Sequence, residues 1–159
     1  MRKTPVMILS ALIASVGMLA VADGHASDEQ LNAAVNARKA QMQLYAFNIG
    51  ILGGMAQEKI AYDADAASAA AGNLAALAAT NQMAYWPAGS DNVSLETTRA
   101  KPEIWQAGSQ IGAEIGKFSE ATAVMAVEAG KGLDALRGAI GAVGGSCGSC
   151  HKAYRGPER

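Results

Sequence analysis

Near its C-terminus the chain reads Cys147-Gly148-Ser149-Cys150-His151, and these are its only two cysteines. On a helix the two thiols and the imidazole fall at i, i+3 and i+4, so all three project from one face. Thiols so placed can form thioethers with the two vinyl edges of one porphyrin while the imidazole reaches the iron. C-x-x-C-H is the signature of c-type haem attachment. The rival chemistries fit less well. A thioredoxin-type dithiol belongs near a βαβ pattern, which is missing here. A structural zinc needs four ligands, and this segment supplies the only soft or imidazole donors once an N-terminal leader is removed. Cysteines that merely pack a core would not need a histidine beside them on the same face.

Three such groups must be held by a rigid element, and the flanking sequence supplies one. Leu133, Leu136, Ile140, Val143, Cys147, Cys150 and Tyr154 recur at intervals of three and four, so the cysteines lie in the apolar seam of a last helix. Leu31, Val35, Arg38, Met42, Tyr45, Ile49 and Leu52 form an equivalent seam in a first helix from Asp28 to about Met55, in which Arg38 is charged and Met42 soft. An Ala-rich second helix is expected from about Asp63 to Thr80. Trp86-Pro87-Ala88-Gly89-Ser90-Asp91-Asn92 marks the one long connection. Pro102 is expected in the first turn of a third helix, with Ile104, Ile111, Ile115, Phe118, Thr122 and Met125 along its seam and Gly130 and Gly132 ending it. No stretch alternates in the manner of a strand. The expected fold is therefore all-α, an antiparallel up-down-up-down four-helix bundle with the haem near the C-terminus.

The 159 residues make one domain, with 50% of residues hydrophobic. Arg2 and Lys3 precede an apolar run from Val6 to Val21, followed by small residues, which reads as an export signal cleaved after Ala26 or Ala22. A retained anchor would need about 20 apolar residues, more than this run supplies. Removal of residues 1–26 leaves 27–159 as the mature domain, exported to the periplasm with no membrane attachment. It also removes Arg2, Lys3 and Asp23, so 13 basic and 14 acidic side chains become 11 and 13. Without a basic excess there is no footprint for nucleic acid. The slight acidity permits docking to basic partners.

The whole mature chain resembles the class II cytochromes c, the cytochrome c′ family. The resemblance rests chiefly on Val143 to Arg155, with support from Pro102-Glu103-Ile104-Trp105 and from Asn36-Ala37-Arg38-Lys39-Ala40-Gln41-Met42. It implies one covalent haem c, with Cys147 and Cys150 as the thioether residues and His151 as the proximal ligand. Arg155 matches the basic residue one turn after the histidine, where its charge biases the iron. Arg38 is similar to the first-helix arginine that approaches a haem propionate; a seam-edge arginine snorkelling to water is the alternative. Members of the family often dimerise through their first two helices, so a homodimer is one expectation, although Ala-rich faces serve internal packing equally well.

The family divides on the sixth iron position. Cytochromes c′ proper are five-coordinate and high-spin, whereas the cytochrome c-554 and c-556 branch places a methionine there. By resemblance Met42 stands at that position, and Gln41 to Gly50 is closer to the low-spin branch. Met55 lies about 20 Å further along the same helix and Met125 closes the third helix at the opposite end. Height alone leaves Met83 open, but it sits in a connection rather than on a rigid helix. A methionine in a helical seam is also ordinary core filler. The expectation is a low-spin His151/Met42 haem in a one-electron carrier, not an enzyme, serving redox proteins that the sequence does not name. A five-coordinate protein binding nitric oxide or carbon monoxide is the alternative.

Overall fold

The computed structural model describes residues 26–158. The proposed export signal lies outside the described residues, apart from Ala26. Four helices follow in order: α1 (Asp28–Ala56), α2 (Ala64–Ala78), α3 (Ile111–Glu128) and α4 (Leu133–Tyr154). Each packs on its neighbours in sequence and α4 closes on α1, which is the up-down-up-down bundle. Among the described residues no helix is long and apolar enough to cross a membrane.

The helix ends follow local chemistry. Ser27 opens α1 with a capping box: its hydroxyl accepts from the Gln30 amide at 3.3 Å, and Gln30 Oε1 accepts from the Ser27 amide at 2.8 Å. Asp63 caps α2 by accepting from the Ala66 amide at 2.8 Å. After a 3₁₀ turn at Ala129–Lys131, Gly132 takes φ 135° and starts α4.

The third helix starts later than its seam implies. Pro102–Trp105 forms a separate 3₁₀ turn, Gln106 is extended, and Gly108 adopts φ 84° before α3 begins at Ile111. Ile104 is buried, but from that turn and not from a helix. Trp105 Nε1 donates to the Trp86 carbonyl at 3.0 Å, and the Gln110 amide donates to the Tyr154 hydroxyl at 2.7 Å. These bonds, made to the connection and to the end of α4, hold residues 102–110 in place without helical pairing.

The dry core fills the end of the bundle away from the cysteines. Leu52, Leu74, Met125 and Leu136 are fully buried there, and Ala67, Ala70 and Ala71 let α2 approach closely. Tyr62 ties the α3–α4 turn to the start of α2: its hydroxyl donates to Ala129 O at 2.8 Å and accepts from the Gly132 amide at 3.0 Å. Thr122, the polar member of the α3 seam, is fully buried and returns its hydroxyl to Ser119 O at 2.9 Å. Tyr45 and Phe118 meet edge to face, with centroids 4.8 Å apart.

Candidate functional site

Towards the other end the helices stand apart around a cavity of about 780 Å³. α4 contributes Cys147, Cys150 and His151 to one wall, α1 brings Arg38, Met42 and Tyr45, and α3 closes the side with Ile111, Ile115 and Phe118. The connection supplies Trp86, Thr98 and Arg99, while α2 lines none of it. Gly144, one turn before Cys147, also borders the space, and a Cβ there would meet nothing within 4 Å. A flat apolar ring would find mainly hydrocarbon walls, with cations at the rim for its carboxylates.

The thiols and imidazole are tuned by their setting. Neither cysteine is in a disulfide. Burial pushes both thiols above their ordinary range, and the Glu114 carboxylate and Cys147 add to this at Cys150. For His151 burial, then the charges of Arg155 and Arg99, hold the imidazole below its usual value and keep it neutral, the form that ligates a metal. Glu114 bridges α3 to the motif: it accepts from the Ser149 hydroxyl and pairs with Lys117 Nζ at 2.6 Å. Its carboxyl is accordingly held low by these two bonds, Lys117 first.

Arg38 is not at the water interface. It is 4% exposed, so snorkelling does not describe it. Nη1 donates to Ser90 Oγ at 2.7 Å and Tyr85 O at 3.2 Å, and Nη2 to Thr98 Oγ1 at 2.7 Å and to Ser90 O. The guanidinium carbon lies 4.8 Å from the Trp86 ring centroid. Burial lowers its pKa to about 10, against the opposing pull of the Asp91 carboxylate. The charge is thus under-compensated beside the cavity, which suits an incoming carboxylate.

The methionines sort cleanly. Met42 is 38% exposed and lines the cavity. Met55 and Met125 are packed in the dry core, and Met83 is 81% exposed and does not line the cavity. All six residues singled out in the sequence, Arg38, Met42, Cys147, Cys150, His151 and Arg155, border the same space. Arg99 was missed. It is fixed by Nε donating to Gly156 O at 2.8 Å and by an ion pair with Glu158 at 2.9 Å, contacts that span more than fifty residues of sequence. The only local signal was a basic residue shortly before Pro102.

The family model described as Cytochrome C' matches residues 33–155. A cytochrome c-554 of Cereibacter sphaeroides is 37% identical over 151 residues, covering 95% of this chain and 97% of the relative. A cytochrome c′ from the same organism is 34% identical over 121 residues, covering 76% and 81%. Among solved structures, the cytochrome c′ titled as from Rhodobacter spheriodes superposes with a TM-score of 0.78 at 35% identity, covering 80% of this chain and 98% of that one. The cytochrome c′ of Thermochromatium tepidum gives 0.73 at 28%, covering 82% and 100%. With a matching bundle, a C-x-x-C-H helix and a cavity walled for a porphyrin, the chain belongs to the cytochrome c′ family of haem-binding electron-transport proteins and takes one covalent haem c.

Proposed function

We propose that the protein is an exported, periplasmic one-electron carrier whose haem would be held by thioethers to Cys147 and Cys150 and by His151 and Met42 as ligands to a low-spin iron. One observation carries the ligation: among the described residues Met42 is the only methionine bordering the cavity that His151 borders. The bound group supplies reversible Fe(III)/Fe(II) exchange. Around it α4 presents the neutral imidazole, and α1 brings the thioether sulfur on a rigid helix. The apolar side chains of α3 exclude water. Arg38 offers a fixed positive charge to a propionate while its Nη hydrogens hold the connection. A methionine sulfur on the iron would favour the reduced state and leave no place for a substrate, so the proposed role is transfer and not catalysis.

The test is a pair of spectra. The carrier reading expects a low-spin spectrum with a sulfur-to-iron band that disappears in Met42→Ala, and slow or absent carbon monoxide uptake by the native protein. A high-spin native spectrum with ready uptake would instead support a five-coordinate gas binder. That second reading draws on relatives: several matching structures are cytochromes c′, and two are titled as nitric oxide complexes of a variant cytochrome c′.

A homodimer through α1 and α2 is part of the same proposal. Leu44 and Phe47 are exposed on α1, and the outward side of α2 carries small residues at Ala66, Ala69 and Ala76. One matching cytochrome c′ is titled for its ligand-controlled dimer dissociation.

A further inference from the structure

The α3 wall of the cavity is apolar at Ile111, Ile115 and Phe118, yet it also carries a carboxylate. Among the described residues that line the cavity, Glu114 is the only acidic one. A charge on such a wall costs free energy once the space is filled, unless it is paired and hydrogen-bonded. Both of its oxygens are provided for. Oε2 accepts from the hydroxyl of Ser149, which stands between Cys147 and Cys150, and Oε1 pairs with Lys117 Nζ at 2.6 Å. Glu114 also lies in the first turn of α3, where the helix dipole favours a negative charge. The members of the ion pair are not equivalent. The Lys117 side chain is 59% exposed and does not line the cavity, whereas that of Glu114 is 12% exposed and does. Water therefore weakens the field of the cation at the cavity more than that of the carboxylate. Ser149 Oγ is also 3.1 Å from Ser146 O, so the carboxylate shares a hydrogen that the helix would otherwise keep.

We infer that Glu114 sets the reduction potential of the haem: it fixes a negative charge beside the Cys150 attachment and so lowers the potential, with Ser149 and Lys117 holding it in place. The inference rests on the thioether at Cys150 in the proposed reading and is independent of what fills the sixth iron position. Uptake of one electron from a redox partner turns Fe(III) into Fe(II) and removes one positive charge from the group, with no bond made or broken. A fixed anion at the edge of that group therefore stabilises the oxidised form more than the reduced one. Covalent attachment strengthens the effect, because it fixes the porphyrin edge relative to the residue next to Cys150. The field of Glu114 reaches that far, since it pushes the Cys150 thiol up beyond what burial alone does. The cations that line the cavity, Arg38, Lys39, Arg99 and Arg155, act in the opposite direction. Glu114 is thus the one side-chain charge among the lining residues that draws the potential down.

The experiment is a potentiometric titration of the purified haem-loaded protein, followed in the visible bands, with a set of charge variants. Glu114→Gln keeps an acceptor for Ser149 and removes the charge. At a fixed ambient potential its ratio of Fe(II) to Fe(III) should rise about threefold, which is about 28 mV at about 59 mV per tenfold for one electron. Lys117→Met, which unmasks the carboxylate from an exposed position, should move the ratio the other way. Ser149→Ala should move it in the same sense as Glu114→Gln but less, and the two together should not add. Glu128→Gln breaks an equivalent pair with Lys131 at the far end and should leave the ratio unchanged. A tie that is merely structural predicts the opposite sign for Glu114→Gln, since a loosened motif admits water, which favours the ferric charge. A Glu114→Gln ratio that falls or stays level would overturn the inference, as would an equal rise in Glu128→Gln. If Glu114→Gln fails to fold, Lys117→Met still reads the charge, and a ratio there that rises or stays level would overturn it as well. Displaced visible bands in Glu114→Gln would trace its shift to an altered ligand set and also count against the inference. The native spectrum and carbon monoxide uptake decide the ligation separately, so the two failures cannot be confused.

Discussion

Arg38 commits both terminal nitrogens to the connection, and the chain thereby hangs residues 85–98 on a single side chain of α1. Lysine, with one point of donation, cannot reproduce a planar fork that reaches Ser90 and Thr98 together. Arg38→Met keeps the length of the stem but strands buried acceptors, so the haem-loaded protein should lose about 3 kcal/mol in urea unfolding, and Arg38→Lys should recover only part of it. Asp91 works inside the same loop. Burial opposes its ionisation, but donation from the Ser94 and Val93 amides and the Ser94 hydroxyl outweighs this and holds its carboxyl below the ordinary aspartate value. A depressed carboxylate stabilises the fold fully above its unfolded value and loses that contribution as pH falls through the folded one. Stability should therefore decline below about pH 3.8, and Asp91→Asn should flatten that part of the curve in denaturant titrations at stepped pH.

At the scale of elements, α2 and the turn that joins α3 to α4 lie close enough for Gly130 to matter. A Cβ on Gly130 would lie 2.2 Å from Ser68 Oγ, a hydroxyl already donating to Ala64 O at 2.8 Å. Gly130→Ala should cost about 1–3 kcal/mol by overpacking, and Ser68→Ala in the same chain should restore most of it, because the Ser68 Cβ would remain at 3.5 Å. A double-mutant cycle by thermal unfolding reads this coupling directly. The sequence carried Gly130 only as a helix breaker, since the identity of its neighbour is a tertiary fact. Much else at this scale was legible: the expected helix starts at Asp28 and near Asp63 and the break at Gly132 coincide with the starts of α1, α2 and α4, ends that local hydrogen bonding or backbone freedom decides. The same local logic failed at Ile104. Its interval of seven to Ile111 fits a helix on paper, but Gly108 at positive φ and the bonds from Trp105 and Gln110 to distant partners interrupt it. The motif helix could be read because its groups are three and four residues apart, whereas the clamp on Arg99 joins segments that only the fold brings together.

At the scale of the whole molecule the bundle has two unequal halves. One is a dry core in which Leu52, Leu74, Met125 and Leu136 are fully buried. The other is a cavity of about 780 Å³ whose walls expect a cofactor. The side chains of Met42, Ile115 and Phe118 are buried against one another only through a group that spans the cavity, so the haem is part of the second core as much as a prosthetic group. Cys147→Ser with Cys150→Ser, which removes both proposed attachment points, should therefore divide the molecule and not merely weaken it. In the haem-free product, amide exchange within residues 122–136 should stay slow. Residues 38–47 and 143–151 should exchange at least about tenfold faster than in the loaded protein. The thermal transition should broaden, since two halves that no longer share a filled core lose all-or-none behaviour. Uniform acceleration across all four helices would instead mean that the far core depends on the haem as fully as the near one does.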